Sequence, residues 1–295
     1  MGKPTPDGQA NHRANHRANH LVGALYVVAT PIGNLEDMTF RAVRVLKEVD
    51  RIACEDTRVT RRLCDHFGID TALMRYDEHN TAKVTPSILN ILGGGRSVAL
   101  VTDAGTPGIS DPGERLVRQV VLEGFPVMPV PGASAVIAGL SASGLPTRTF
   151  KFHGFVPKKQ GERKAVWASL PPGTHALYCP ARDLEKVVAE IDTGMPEVSV
   201  VIGRELTKLH ESWYRGTPAE VLAQLGEADA AHKGEAVILL HRLAQHGEAT
   251  DEQLASALRP LLEGGHRTKH AAAEVSAQFG VPKRRVYQLA IKLAD

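Results

Sequence analysis

The run Thr-Asp-Ala-Gly-Thr-Pro-Gly-Ile-Ser-Asp-Pro-Gly at 102–113 constrains this chain more than any other stretch. It follows Ser97-Val98-Ala99-Leu100-Val101, an apolar run with the composition of a buried strand. Acids, hydroxyls, prolines and three glycines then gather where the strand opens into a loop. Glycine and proline fix the path of the backbone, and glycine lets it approach a ligand closely. An ordinary strand-to-helix loop runs only about 2–6 residues. At the carboxyl end of a parallel strand, such a loop is where open α/β sheets bind ligands.

The flanking pattern supplies such a sheet. Leu25–Ala29, Arg51–Cys54, Met74–Tyr76, 97–101 and Val127–Val130 read as short strands. Helical spacing separates several of them: Ala42, Val43, Val45, Leu46 and Val49 share a helix that Thr39 caps. A second helix ends at Gly68, and a third runs from Glu114 to Glu123. This alternation predicts a mainly parallel, doubly wound sheet. Gly93-Gly94-Gly95 reads as a plain loop. Gly144-Leu145-Pro146-Thr147 reads as a hinge, after which strands at 150–155, 175–179, 198–202 and 236–240 alternate with helices at 160–169, 183–191 and 217–225. Residues 241–249 read as a linker. The predicted organisation is an extension at 1–20, an α/β domain at 21–145, a second α/β domain at 146–241 and a small helical module at 250–295.

The two ends differ from the body. Residues 11–20 repeat Asn-His-Arg-Ala with almost nothing to bury, so the first twenty residues are expected to be disordered. If helical, they would stack His12, His16 and His20 on one face, where a metal could bind. The basic stretch before Leu21–Ala29 imitates a signal peptide, but the apolar run leads straight into a loop the fold requires. From 259 to 295 seven Lys and Arg residues face three acids, and Lys283-Arg284-Arg285 opens the last helix. That pattern reads either as a helix-turn-helix or as a solvated charged face.

Net charge is +2 with thirteen histidines counted neutral, so any nucleic-acid surface must be local. Cys54, Cys64 and Cys179 form no CxxC pair, which suits a reducing cytoplasm and no structural zinc. No apolar run is long enough to span a membrane. Neither GxGxxG nor GxxxxGK[ST] is present, no HExxH or His/Cys cluster points to a catalytic metal, and Ser134 lacks the second glycine of a nucleophile elbow. The strand-end loops near 30–34, 55–58, 103–111 and 131–135 offer backbone groups, small hydroxyls and carboxylates. That chemistry suits a neutral or cationic, adenosine-like ligand.

At this point the resemblance becomes specific. Ala-Thr-Pro-Ile-Gly-Asn-Leu-Glu-Asp-Met-Thr-x-Arg-Ala at 29–42, the 102–113 loop and Pro-Gly-Ala-Ser-Ala at 131–135 resemble the three signatures of the tetrapyrrole methylase superfamily. Cys-Glu-Asp-Thr-Arg at 54–58, Gly-Phe-Val-Pro at 154–157 and Arg-Glu-Leu-Thr-Lys-Leu-His-Glu at 204–211 are similar to its RsmI branch. The resemblance covers about 24–295 and implies two α/β domains with a C-terminal helical module. It implies S-adenosylmethionine as cofactor and 2′-O-methylation of a cytidine ribose in 16S rRNA, in the decoding centre of the 30S subunit. A cytoplasmic homodimer without metal or membrane is also implied.

By motif position, Pro31, Ile32, Ala104, Gly105, Thr106, Ile109, Ser134 and Ala135 are expected at the cofactor, with Cys179 and Ala236 from the second domain. A ribose hydroxyl is a weak nucleophile and benefits from a base. Asp103 and Glu55 are the candidates, and each can equally brace a loop. Arg58, Lys158, Lys159, Arg163, Lys164, Arg204, Lys208, Arg284 and Arg285 are expected at RNA, whereas Trp167 reads as core. One departure is Tyr178-Cys179-Pro180-Ala181-Arg182, where the family shows Tyr-Glu-Ser and a His-Arg pair. Two other readings stay open: C-methylation of a tetrapyrrole, and a non-catalytic factor that binds the 30S subunit.

Overall fold

Five short strands build the first sheet in the computed structural model, which describes residues 23–227, 233–243 and 249–294. They are β1 (Leu25–Val28), β2 (Arg51–Cys54), β3 (Leu73–Arg75), β4 (Val98–Leu100) and β5 (Val127–Val130). All pair in parallel, in the order β3-β2-β4-β1-β5. A parallel sheet is covered on both faces, so its strands must be apolar on both. Successive residues accordingly enter opposite cores. Tyr26, Ile52, Cys54 and Ala99 pack under α1 (Phe40–Glu48) and α2 (Thr57–Phe67). Leu25, Ala53, Val98 and Leu100 pack under α3 (Thr81–Gly93) and α4 (Glu114–Leu122).

The local signals act as the sequence predicts. The Thr39 side chain accepts from the Ala42 amide at the start of α1, and the structure adds a cap absent from the sequence reading, Asp56 accepting from the Arg58 amide at the start of α2. Gly68 takes the left-handed conformation at the end of α2, with φ of 60°. Helix α3 is absent from the sequence reading. Pro86 and the β-branched Thr81, Val84 and Thr85 weaken its local signal. Burial of Ile88 and Leu92 against the sheet overrides that weakness.

A second unit begins at Val136, ahead of the Gly144–Thr147 hinge. Helix α5 (Ala135–Ser143) explains why. A Cβ at Gly139 would lie 3.3 Å from Val237 Cγ1, so the bare glycine lets this helix press against the second sheet. That sheet comprises β6 (Phe150–Phe155), β7 (Gly173–Pro180), β8 (Ser199–Arg204), β9 (Ser212–Gly216) and β10 (Glu235–Arg242), ordered β6-β7-β10-β8-β9. Only β6 and β7 pair in parallel, and the remaining pairs are antiparallel. The mainly parallel arrangement therefore describes the first sheet and not the second. Strand β9, whose short Ser-Trp-Tyr-Arg-Gly run lacks an apolar alternation, supplies the difference by hairpin pairing with β8.

Helices α6 (Gln160–Ser169), α7 (Leu184–Gly194) and α8 (Pro218–Gly226) share a core with the second sheet. Trp167 lies in that core, 3% exposed. Helices α9 (Asp251–Glu263), α10 (Thr268–Phe279) and α11 (Lys283–Ala294) bury a separate core around Leu254, Leu258, Val275 and Val286. The extension at 1–20, with His12, His16 and His20, lies outside the described residues, as does 244–248 of the linker.

Three histidines are built into the second sheet. His175 is 2% exposed, and its Nε2 lies 2.8 Å from the Pro171 carbonyl. A carbonyl only accepts, so Nε2 carries the proton and Nδ1 accepts from His153 Nε2 at 3.0 Å. His241 Nδ1 lies 2.9 Å from the Thr174 hydroxyl. Burial holds all three imidazoles below their ordinary pKa. The unfolded chain takes up these protons near pH 6.5, and the folded chain only at lower pH. Their contribution to stability is therefore present above about pH 6.5 and is lost as pH falls. Thermal unfolding should show Tm falling between pH 7.5 and 5.5, with a shallower fall in His175→Gln. Equal slopes in the two proteins would contradict this account.

Candidate active site

The carboxyl ends of β1, β2, β4 and β5 carry the predicted loops on one edge of the first sheet. Strand β1 is flanked by β4 and β5, so the chain reverses direction across the sheet beside it. A crevice at such a switch point is the usual ligand site of open α/β sheets.

Hydrogen bonds tie the loops together. Thr30 and Gly105 exchange backbone hydrogen bonds of 2.9 and 3.1 Å. The Thr30 hydroxyl, buried at 2% exposure, donates to the Thr102 carbonyl at 3.0 Å. Thr106 Oγ1 donates to the Ala133 carbonyl at 3.1 Å, joining the 102–113 loop to the loop after β5. Gly105 has φ of +90°, and a Cβ placed there would lie 3.5 Å from Ile32 Cγ2. At Gly113 a Cβ would fall 3.0 Å from Leu100 Cδ2 and 3.1 Å from the Gly108 nitrogen, so no other residue fits there without movement. Ser110 adopts φ of 64°, a left-handed conformation that costs a non-glycine residue roughly 1–2 kcal/mol.

The structure thus brings Pro31, Ile32, Ala104, Gly105, Thr106, Ser134 and Ala135 onto one set of joined loops. Pro31 and Gly105 are buried, Ile32, Thr106, Ser134 and Ala135 are half-buried, and Ala104 is exposed. Ile109 lies on the same loop with 44% of its surface exposed. Cys179 and Ala236 face each other across β7 and β10 in the second unit, and both are buried. Burial pushes the Cys179 thiol up to about 12, so it is neutral and acts as a small apolar residue.

The acids form a group at the ends of β2, β3 and β4. Asp103 Oδ1 accepts from the Asp56 amide at 3.2 Å. Asp56 is engaged by the exposed Arg58, whose hydrogen bonds hold its carboxyl well below the usual range. Burial raises Asp103 above the ordinary carboxylate value. Burial also raises Glu55, with further contributions from the charges of Asp103, Asp77, Asp56 and Glu78. Asp77 and Glu78 were not among the sequence candidates. Their position at the end of β3, in a loop of the same kind, was the available signal. A carboxylate with a raised pKa and partial exposure is suited to accept a proton near neutral pH.

Two of the expected RNA contacts serve the fold instead. Arg163, 4% exposed, forms a two-pronged ion pair with Glu190 at 2.7 and 2.8 Å. Its remaining nitrogen donates to the Pro157 and Lys158 carbonyls. Arg204, 5% exposed, donates to the Lys233 carbonyl at 3.0 Å. The sequence gives such arginines the same appearance as surface ones, because only packing reveals the buried acceptors. Lys158, Lys159 and Lys164 are exposed, with Lys159 paired to Glu162. Lys208 pairs with Glu205 at 2.8 Å. In the C-terminal module Arg284 is exposed, whereas Arg285 bonds to Asp251 and the Ala249 carbonyl and so pins α11 to the start of α9.

Comparison with known proteins agrees with this geometry. Residues 24–222 match the family model for tetrapyrrole (corrin/porphyrin) methylases. A solved uroporphyrin-III-C-methyltransferase from Thermus thermophilus, 22% identical, superposes with a TM-score of 0.53 over 74% of this chain and 94% of its own. Residues 248–294, which hold α9 to α11, match the RsmI C-terminal HTH domain. The ribosomal RNA small subunit methyltransferase I of Halalkalibacterium halodurans is 41% identical, covering 90% of this chain and 94% of that protein. Its counterpart from Synechocystis is 40% identical over 92% of this chain and 99% of that protein. The chain belongs to the tetrapyrrole methylase family, in the branch of ribosomal RNA small subunit methyltransferase I.

The loops fit the cofactor of a methylase. Residues 30–34, 102–113 and 131–135 contain no Lys or Arg to repel a sulfonium, and the nearby carboxylates favour it. The small Ala104, Gly105, Ala133 and Ala135 put no bulky side chain over these loops, and Ala104 is exposed there. Thr102 also carries a buried hydroxyl without a protein partner. Thr30→Val should test the tie between loops. It removes the donor to the Thr102 carbonyl and should cost about 1–3 kcal/mol in denaturant unfolding. S-adenosylmethionine affinity, measured by calorimetry, should fall with it, and unchanged affinity would contradict a shaping role.

Proposed function

We propose that this protein uses S-adenosylmethionine to methylate a cytidine ribose 2′-oxygen of 16S rRNA within the 30S subunit, in the decoding centre. The observation that carries this reading is the joined loop edge, with two proton-accepting carboxylates beside Thr30, Gly105 and Thr106. Its support comes from membership of an rRNA methyltransferase branch together with a C-terminal helical module of the matching kind.

The cofactor supplies an electrophilic methyl group on a sulfonium. The loops would hold it, through the backbone of Ala104 and Thr106 and the side chains of Pro31, Ile32 and Ile109, with Gly105, Ser134 and Ala135 alongside. Glu55 or Asp103 would accept the proton of the ribose hydroxyl, whose oxygen would receive the methyl group that bound S-adenosylmethionine supplies, with S-adenosylhomocysteine leaving. Positioning supplies most of the acceleration in such an in-line displacement. Arg58, Lys158, Lys164 and Arg284, being exposed, are suited to phosphate contacts that weaken as salt rises. We take the active protein to be a cytoplasmic homodimer.

Nucleoside mass spectrometry of 30S subunits after reaction should yield 2′-O-methylcytidine, and a base-methylated nucleoside would contradict the proposal. Asp103→Asn and Glu55→Gln distinguish the two carboxylates. Removing the base should lower kcat by about 10²–10⁴-fold. The base must be ionised, so activity falls as pH drops through its raised pKa. If Glu55 is the base, Asp103→Asn retains activity and moves the acid limb to lower pH, because a neighbouring negative charge is gone. An unmoved limb in an active Asp103→Asn would exclude Glu55.

A further inference from the structure

Phe40, the first residue of α1, is 98% exposed, which is unusual for a large aromatic side chain. It forms one wall of an open groove of about 500 Å³ whose floor is Met38, Val43 and Phe67. Arg44, Lys47 and Glu48 complete the rim, with Arg44 bonded to Glu48 at 2.8 Å. The groove follows α1 for eight residue steps, roughly 12 Å at helical rise. It starts at the first turn of α1, which follows the 30–34 loop after the short helical turn at Leu35–Asp37. The surrounding helix surface is basic. Arg41, Lys47, Arg61 and Arg62 are exposed and make no ion pair among the described residues, whereas Asp65 is the exposed acid on α2. Glu36 and Asp37 lie on the preceding turn.

An aromatic face at the mouth of an apolar groove, with Lys47 on its rim and Arg41 beside Phe40 on the same helix, is the composition of a single-strand nucleic-acid surface. Bases stack on the aromatic ring while Lys and Arg follow the phosphates. A self-association face would instead be expected to balance its charges. We propose that the α1 groove docks unpaired nucleotides of the RNA substrate next to the one that is methylated, with Phe40 as the stacking platform and Arg41 and Lys47 as phosphate contacts. This rests on the reading of rRNA as substrate.

The test uses the full-length protein and unmethylated 30S subunits. Phe40→Ala should raise KM for the subunits about 5- to 100-fold, the range seen when a stacking platform is truncated. Phe40→Trp should restore it, and S-adenosylmethionine affinity should be the same in all three proteins. Lys47→Glu should weaken binding and reduce its salt dependence. Leu122→Ala removes another exposed apolar side chain, at the end of α4, and should change nothing. A KM for Phe40→Ala within twofold of the parent overturns the proposal. So does a shift of Phe40→Ala to a smaller species in sedimentation, which would assign the groove to a second copy of the chain. An effect of Phe40→Ala that vanishes once residues 1–20 are deleted would assign it to the chain's own N-terminal segment. Failure of the parent to methylate any RNA would defeat the functional reading itself rather than the groove alone.

Discussion

The pairing of Thr30 with Gly105 is the interaction on which the site depends. Short parallel strands end in loops whose backbone groups have no neighbours in the sheet, and such groups must be satisfied somewhere. Here the loop after β1 and the loop after β4 satisfy each other, through two backbone hydrogen bonds and the buried Thr30 hydroxyl. Thr106 extends the same arrangement to the loop after β5. Three loops from separate parts of the chain thereby become one preformed surface. That surface carries no Lys or Arg and is flanked by carboxylates, and both properties follow from the residue types in the loops.

Rigidity at this edge has a local cost. Gly105 and Gly113 occupy conformations or spaces closed to other residues, and Ser110 is left-handed without the excuse of being glycine. Strained backbone of this kind persists where surrounding structure over-determines it, typically at ligand sites. The buried side chains Leu100 and Leu116 anchor the two ends of the 102–113 loop, so packing of the sheet holds the strain in place. The acidic group is a second such compromise, since burial raises both Glu55 and Asp103, and the charge of Asp103 raises Glu55 further.

Much of this was legible in the sequence, for identifiable reasons. Strand-end loops rich in glycine, proline and hydroxyls announce themselves, as do Thr39 as a helix cap and Gly68 as a stop. Features set by tertiary packing were hidden. Helix α3 forms despite Pro86 because Ile88 and Leu92 have a sheet to cover. Strand β9 exists only by pairing with β8, which makes the second sheet mostly antiparallel. Arg163 and Arg204 resemble any other basic residue until their buried acceptors are seen. Phe40 sits where a helix would ordinarily present a polar residue, and only its exposure shows that it faces outward.

The fold is shared with a uroporphyrin-III-C-methyltransferase, so the acceptor is what distinguishes this branch from other proteins of the fold. The most direct measurement is transfer of labelled methyl from S-adenosylmethionine, with unmethylated 30S subunits, naked 16S rRNA and a tetrapyrrole precursor offered in parallel. The account predicts label on a ribose oxygen of the 30S subunit and none on the tetrapyrrole. Label on the tetrapyrrole alone would contradict it while leaving the fold assignment intact.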